Sequence, residues 1–159
     1  MRRAAVVFVS LAAAAVAHAQ ASAPPAAWFG TWTLNVARST YVPGPPPYRR
    51  ASYRIEPWQD GVKVTYDMVH PRGGVTHLEW TGRLDGRDYP LQGIEENMTY
   101  AYAPAADGAW TVTVKVDGRI VARSTVTVSP DGRSMTTSTS GVNAAGRRVT
   151  TVTVYEKTK

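Results

Sequence analysis

Two histidines and a glutamate are the residues of this chain best suited to hold a metal ion or to move a proton. His77 and Glu79 are two positions apart in a run with strand-like alternation, and His70 lies across the preceding turn. Residues so spaced on a strand project from one face, and imidazole and carboxylate groups ligate zinc or act as acids and bases. The alternation places Leu78 and Trp80 on the opposite, apolar face. We therefore interpret the three groups as surface residues and predict no metal site.

Four carboxylates form a second candidate site, and they are Asp85, Asp88, Glu95 and Glu96. A carboxylate pair can cleave a glycosidic bond when it is held about 5 to 9 Å apart around a sugar. Acidic residues are also common in turns, and these four bracket Tyr89-Pro90 and the loop after it. Serine-nucleophile elbows, phosphate loops and dinucleotide fingerprints are missing from the sequence. We assign no catalytic residue and no cofactor, and enzymatic function is the less favoured interpretation.

Large aromatic and thioether side chains offer a third kind of chemistry, the binding of an apolar molecule. Small-ligand pockets are mostly apolar with a few placed polar groups, and Tyr and Trp supply both. The alternative is that these side chains fill a packed core. Small polar residues at Thr137, Thr139, Thr151 and Thr153 leave room beside them. The predicted ligand-binding residues are Tyr66, Met68, Trp80, Met98, Tyr100, Tyr102 and Trp110.

Turn signals recur through the last hundred positions and define the elements that must position these groups. Asp-Gly or Gly-Gly pairs separate short runs rich in Val, Thr, Tyr and Trp, the residues that suit strands. Asp-Gly favours tight hairpins because Gly tolerates positive φ. The pattern predicts an all-β fold, an antiparallel up-and-down barrel of about eight to ten strands, since closure removes exposed sheet edges. A β-sandwich is the alternative.

The N-terminal segment has the features of a secretory signal. Arg2 and Arg3 precede an apolar run that ends at Ala17-His18-Ala19, and the run is shorter than the ~20 residues that span a bilayer. We predict a signal peptide over 1–19, a flexible leader over 20–27 and one barrel domain over 28–159. The mature chain is expected in the periplasm or secreted medium, without a transmembrane segment. Its oligomeric state is left open.

The amino-acid composition limits the kinds of bond and partner that the chain can have. The chain has no Cys, which removes disulfides and thiolate sites, and its formal net charge is +6. Subtracting Arg2 and Arg3 of the signal leaves +4, scattered along the chain. A nucleic-acid interface needs a clustered basic face, so no nucleic-acid partner is predicted.

A proline-rich stretch interrupts the first part of the domain. The first strand is predicted over Phe29–Val36, and a long connection over 37–48 contains Pro43-Gly44-Pro45-Pro46-Pro47. Consecutive prolines cannot lie in a central strand. The stretch is either a stiff spacer across one end of the barrel or a lid or docking segment. The second possibility supports an alternative function, an envelope-associated interaction module with a solid core. Its interaction surface would consist of the proline-rich stretch together with Tyr41, Tyr48, Arg49 and Arg50.

The first strand also carries a family resemblance. Gly30-Thr31-Trp32 resembles the Gly-x-Trp signature that opens lipocalins and other calycin-type barrels. Together with Asp85-Gly86-Arg87-Asp88-Tyr89-Pro90 and the ending Val154-Tyr155-Glu156-Lys157, it is similar to a group of small exported lipocalin-like bacterial proteins of unestablished activity. The second lipocalin motif, Thr-Asp-Tyr, and the Cys pair are missing. The resemblance implies that Gly30 and Trp32 close one end of the barrel, covered by a late arginine, Arg147 or Arg148, of which we assign Arg148. It also implies non-catalytic binding of a small, largely apolar molecule.

Overall fold

A computed structural model of the protein describes residues 24–143 and 145–158. The predicted signal peptide over 1–19 and residues 20–23 of the predicted leader lie outside the described residues. Ala26–Trp28 form a single 3-10 turn that leads into the barrel. Within the described ranges, no helix has the length and apolarity to cross a membrane.

Ten antiparallel strands follow one another around a closed barrel, in which each strand pairs with its sequence neighbours and the first pairs with the last. This confirms the predicted all-β up-and-down architecture. The strands are β1 (Gly30–Val42), β2 (Arg50–Trp58), β3 (Gly61–Val69), β4 (Val75–Gly82), β5 (Tyr89–Gln92), β6 (Met98–Pro104), β7 (Trp110–Val116), β8 (Arg119–Val128), β9 (Ser134–Val142) and β10 (Arg148–Lys157).

The first strand is longer than predicted, and the proline-rich connection is correspondingly shorter. β1 continues past Val36 to Val42 because a bulge, rather than a turn, follows Asn35. Residues 36–39 lie opposite the single residue Thr153 of β10, and pairing resumes between Thr40 and Val152. The Ser39 hydroxyl holds the bulge, since it donates to the Asn35 carbonyl at 2.7 Å and accepts from the Val154 amide at 3.0 Å. Side-chain bonds of this kind are not visible as a period in the sequence.

The barrel has two distinct ends. We call the end where β1 begins the Trp32 end, and the end where residues 43–49 join β1 to β2 the proline end. Inward-facing residues alternate with outward-facing ones along each strand, as in β3, where Val62, Val64, Tyr66 and Met68 are buried. On the outer face Lys63 pairs with Glu79 at 2.8 Å. The alternation therefore divides the chain into a solvent face and an interior.

Gly93 combines a left-handed backbone conformation with a close backbone neighbour, so it is expected to be hard to replace. Its φ is +90°, and a Cβ there would lie 2.4 Å from the His77 carbonyl oxygen, a backbone atom that cannot move aside. We expect Gly93→Ala to lower the free energy of unfolding by about 2–4 kcal/mol, from backbone strain and overlap together. Gly73→Ala is the matched control, because its φ is +89° with open space around it. Urea unfolding followed by circular dichroism measures both, and equal losses would contradict the role of the overlap.

Candidate ligand-binding cavity

A tryptophan pair fills the Trp32 end. Trp32 is fully buried, and its indole N–H donates to the Trp28 carbonyl at 2.9 Å. The Lys157 ammonium lies 4.7 Å from the centre of the Trp32 ring and donates to the Ala27 carbonyl at 2.7 Å. A cation over an indole face is attracted by the ring quadrupole. Gly30 has a φ of +125°, a conformation that favours glycine, and it lies beside the Lys157 side chain.

The cation over Trp32 is therefore a lysine rather than the expected arginine. Trp32 is paired with Lys157, whereas Arg148 is paired with Val142 at the proline end. Arg148 and Lys157 lie nine positions apart at the two ends of the extended strand β10, so Arg148 cannot reach Trp32. Several basic residues lie late in the sequence, and the register between β1 and β10 determines which of them lies over the Trp32 ring.

The barrel encloses a cavity of about 360 Å³ between its two ends. Cavities of roughly 300–1,000 Å³ are typical of small-molecule sites. A barrel of eight strands has an interior just wide enough for side chains to fill, and a barrel of ten strands encloses more space. The interior is thus not a solid core, and a small molecule fits within it.

The cavity wall changes character along the barrel axis. Several strands present an apolar side chain near the Trp32 end and a hydroxyl further toward the proline end. The apolar residues of these strands are Leu34, Ile55, Val62, Val126 and Met135. Their hydroxyl-bearing partners on the same strands are Tyr41, Tyr53, Tyr66, Ser124 and Thr137. The wall is therefore amphipathic along these five strands, whereas on β6 the order is reversed, with Met98 toward the proline end and Tyr102 toward the Trp32 end.

Tyrosines supply most of the aromatic surface. Seven of the eight tyrosines of the chain line the cavity, and they are Tyr41, Tyr48, Tyr53, Tyr66, Tyr100, Tyr102 and Tyr155. Tyr53 stacks on Tyr155 with ring centres 4.4 Å apart and meets Tyr66 edge-on at 4.7 Å. The Tyr66 and Tyr102 hydroxyls are 3.0 Å apart and share a hydrogen bond. These ring contacts hold the phenols in place and give the cavity a rigid wall.

Burial keeps the cavity phenols neutral. It raises the pKa of Tyr102 and of Tyr155 to about 12, and it also raises the pKa of Tyr53, Tyr66 and Tyr100. The neighbouring phenols raise the pKa of Tyr66 further, since a second phenolate beside the first is unfavourable. At neutral pH these groups are therefore hydrogen-bonding hydroxyls without charge.

The raised pKa values predict a loss of stability in alkali. Above the ordinary pKa of 10.0 the unfolded chain releases its tyrosine protons, while Tyr102 and Tyr155 in the barrel hold theirs up to about pH 12. The unfolded chain then binds fewer protons than the folded one, so the free energy of unfolding falls as pH rises. Each of the two contributes on the order of 1–3 kcal/mol, fully present below pH 10 and lost as pH rises toward 12. Urea unfolding at increasing pH measures the fall.

Tyr102→Phe is the variant that tests this origin, because it removes one titrating phenol from the interior. We expect it to reduce the alkaline loss, whereas Tyr89→Phe, outside the cavity lining, is expected to have the smaller effect. A free energy of unfolding that does not change between neutral pH and pH 12 would mean that the cavity hydroxyls are solvated.

Four of the seven predicted ligand-binding residues line the cavity, and they are Tyr66, Met98, Tyr100 and Tyr102. The other three are buried but lie outside the cavity lining. Met68 is in the core beyond Tyr66, Trp80 packs against Tyr102 with ring centres 4.6 Å apart, and Trp110 packs edge-on against Trp28 at 5.5 Å. Trp80 thus supports the cavity wall from behind, and we expect its replacement by alanine to act on folding first.

The cavity also uses residues that sequence reasoning did not name as binding residues. Tyr53 and Tyr155 line it, and their alternation with polar neighbours in β2 and β10 was a usable signal. Tyr41 is not among the predicted binding residues because the predicted first strand ends at Val36, before this residue. The small residues Thr137, Thr139, Thr151 and Thr153 line it as well, in the role of leaving space.

The polar groups considered for catalysis lie apart from the cavity. His77 is exposed and contacts Asp67 at 2.7 Å and Glu79 at 3.8 Å, while His70 contacts the Thr76 hydroxyl at 2.9 Å. None of these residues lines the cavity. Within residues 24–143 and 145–158, no cluster of three His, Asp or Glu side chains is arranged to hold a metal ion.

Two of the four carboxylates make contacts next to the turn where they occur, and the other two are exposed in a loop. Asp85 accepts from the Tyr89 hydroxyl at 3.1 Å, and Asp88 pairs with Lys115 at 2.7 Å. Glu95 and Glu96 are exposed in the loop between β5 and β6. None of the four is among the residues that line the cavity.

Comparison with known proteins gives one distant likeness. No protein-family model matches the chain, and no curated protein matches it. A crystal structure of zebrafish ileal bile acid-binding protein complexed with cholic acid is similar at a TM-score of 0.45 and 11% sequence identity, covering 83% of this chain and 99% of that one. The barrel and cavity described above rest on the geometry of this chain itself.

Proposed function

We propose that this protein is exported and binds a small, largely apolar molecule inside its barrel without changing it chemically. The observation that carries the proposal is the cavity of about 360 Å³, whose wall combines aliphatic side chains with the hydroxyls of Tyr, Ser and Thr. Apolar burial contributes roughly 25 cal/mol per Å² removed from water, so it would supply most of the affinity. The hydroxyls would orient the ligand.

The chemistry of the wall supports binding rather than catalysis. Acid–base catalysis needs a group whose pKa lies near the working pH. The cavity phenols depart from that range, since burial raises the pKa of Tyr102 to about 12. The imidazole and carboxylate groups near β4 are on the outer surface, where a molecule held in the cavity would not reach them.

The proline-rich segment serves the cavity in this proposal. Pro47 and Tyr48 line the cavity at the proline end, and Tyr48 packs edge-on against His70 with ring centres 5.2 Å apart. The alternative function, an interaction module, is argued from a solid core, so the cavity favours binding inside the barrel over it. We therefore assign the segment to the rim through which a ligand would pass.

Native mass spectrometry of the mature protein, purified gently from its own cell envelope, tests the proposal. We expect a discrete extra mass that disappears on denaturation. A bare protein mass, found again after exposure to a lipid and metabolite extract, would overturn it.

A further inference from the structure

The cavity wall carries no charge. Among its lining residues, all within the described part of the chain, there is no Asp, Glu, Lys, Arg or His. The polar side chains of the wall are the hydroxyls of Tyr, Ser and Thr. These groups donate and accept hydrogen bonds but do not balance a full charge.

This composition discriminates against ionised ligands. An ion taken from water into a low-dielectric interior loses several kcal/mol of hydration, which only a counter-charge or several charge-assisted hydrogen bonds recover. A neutral amide, alcohol or ketone loses much less and needs one or two ordinary hydrogen bonds. The wall offers the second kind of partner and lacks the first.

One hydroxyl of the wall is free to meet such a group. The Tyr41 hydroxyl is buried and has no hydrogen-bond partner within the described residues. The nearby Ser39 hydroxyl offsets part of the effect of burial on the pKa of Tyr41, but the hydrogen bonds of Ser39 are made with the Asn35 carbonyl and the Val154 amide. A buried donor without a partner is unfavourable, so a ligand acceptor at this position would stabilise the complex.

Two hydroxyl pairs add to this capacity. Tyr66 and Tyr102 are 3.0 Å apart, and Ser124 and Thr139 are 2.8 Å apart. In each pair one proton is used in the shared bond and the other remains available. Among these donors, the hydroxyls of Tyr41, Tyr66 and Ser124 lie beyond the apolar lining residues of their strands, toward the proline end.

From these observations we infer the ligand class, an inference that rests on the proposed function. The ligand is electrically neutral and carries an apolar body with one hydrogen-bond acceptor, a hydroxyl, carbonyl or amide oxygen. The body lies toward the Trp32 end, and the acceptor meets the Tyr41 hydroxyl toward the proline end.

Competition between two ligands of equal shape tests the charge preference. Anilinonaphthalene, a neutral fluorophore, serves as the reporter, and naphthamide and naphthoate serve as competitors that differ in a neutral amide or an anionic carboxylate. At neutral pH we expect naphthamide to displace the reporter at least about a hundredfold more effectively than naphthoate, because naphthoate would bury an unpaired charge. Naphthoate binding equal to or tighter than naphthamide would overturn the inference. A reporter that does not bind at all would instead contradict the proposed function.

Tyr41→Phe tests where the acceptor lies. We expect the variant to bind naphthamide about three- to tenfold more weakly, the loss of one hydrogen bond, and to bind methylnaphthalene, which has no acceptor, unchanged. Tyr89→Phe is the matched control, because Tyr89 is the tyrosine outside the cavity lining and its hydroxyl donates to Asp85. It should leave both affinities unchanged. An unchanged naphthamide affinity in Tyr41→Phe, or an equal loss for both probes, would overturn the placement.

Discussion

Replacing Trp32 with alanine is expected to lower the free energy of unfolding by about 3–5 kcal/mol. Trp32 has no exposed surface, and its removal would open a void beside Trp28. The change would also leave the Trp28 carbonyl without its indole donor and the Lys157 ammonium without the ring beneath it. Since a domain is typically stable by about 5–15 kcal/mol, this loss would consume much of the margin. Urea unfolding followed by circular dichroism measures it.

Trp58→Ala is the matched control for this prediction. Trp58 is 47% exposed, and the Lys63 ammonium lies 5.7 Å from the centre of its ring. It therefore matches Trp32 in residue type and in its contact with a lysine, but it is not buried. We expect a loss of about 1 kcal/mol or less. If the two variants lost equal stability, Trp32 would not be the residue that closes the barrel.

The second large effect is expected from filling the cavity. Thr137 of β9 lines the cavity wall, and phenylalanine in its place would occupy part of the 360 Å³ that a ligand needs. We expect Thr137→Phe to weaken binding of anilinonaphthalene by at least about thirtyfold, which corresponds to about 2 kcal/mol. The strand itself tolerates an aromatic residue well. Fluorescence titration measures the affinity, and circular dichroism verifies the fold.

Ser138→Phe distinguishes a blocked cavity from a disturbed strand. Ser138 is the next residue of β9, and its exposed side chain faces outward. The variant therefore introduces the same ring on the opposite side of the same strand. We expect its affinity for anilinonaphthalene to match that of the unchanged protein. Equal weakening in both variants would place the binding site elsewhere on the barrel.

The local pattern of the sequence determined the strands and the barrel. Asp-Gly turns and the two-residue alternation act over a few residues, and β4 begins directly after Gly73-Gly74 while β8 begins directly after Asp117-Gly118. The number of strands and the short hairpin connections then favour closure, because every edge is paired when β1 meets β10. The alternation also placed His77 and Glu79 on the solvent face, where they lie.

Contacts between distant parts of the chain were decided only by the tertiary structure. Lys157, rather than Arg148, covers Trp32 because the register of β1 against β10 selects the partner. Similarly, Tyr66 faces the cavity whereas Trp80, equally inward by alternation, is packed behind Tyr102. Alternation reports which face of a strand is buried, but the width and tilt of the closed barrel determine whether a buried side chain borders a cavity or another side chain. That distinction depends on the whole barrel and has no local signal in the sequence.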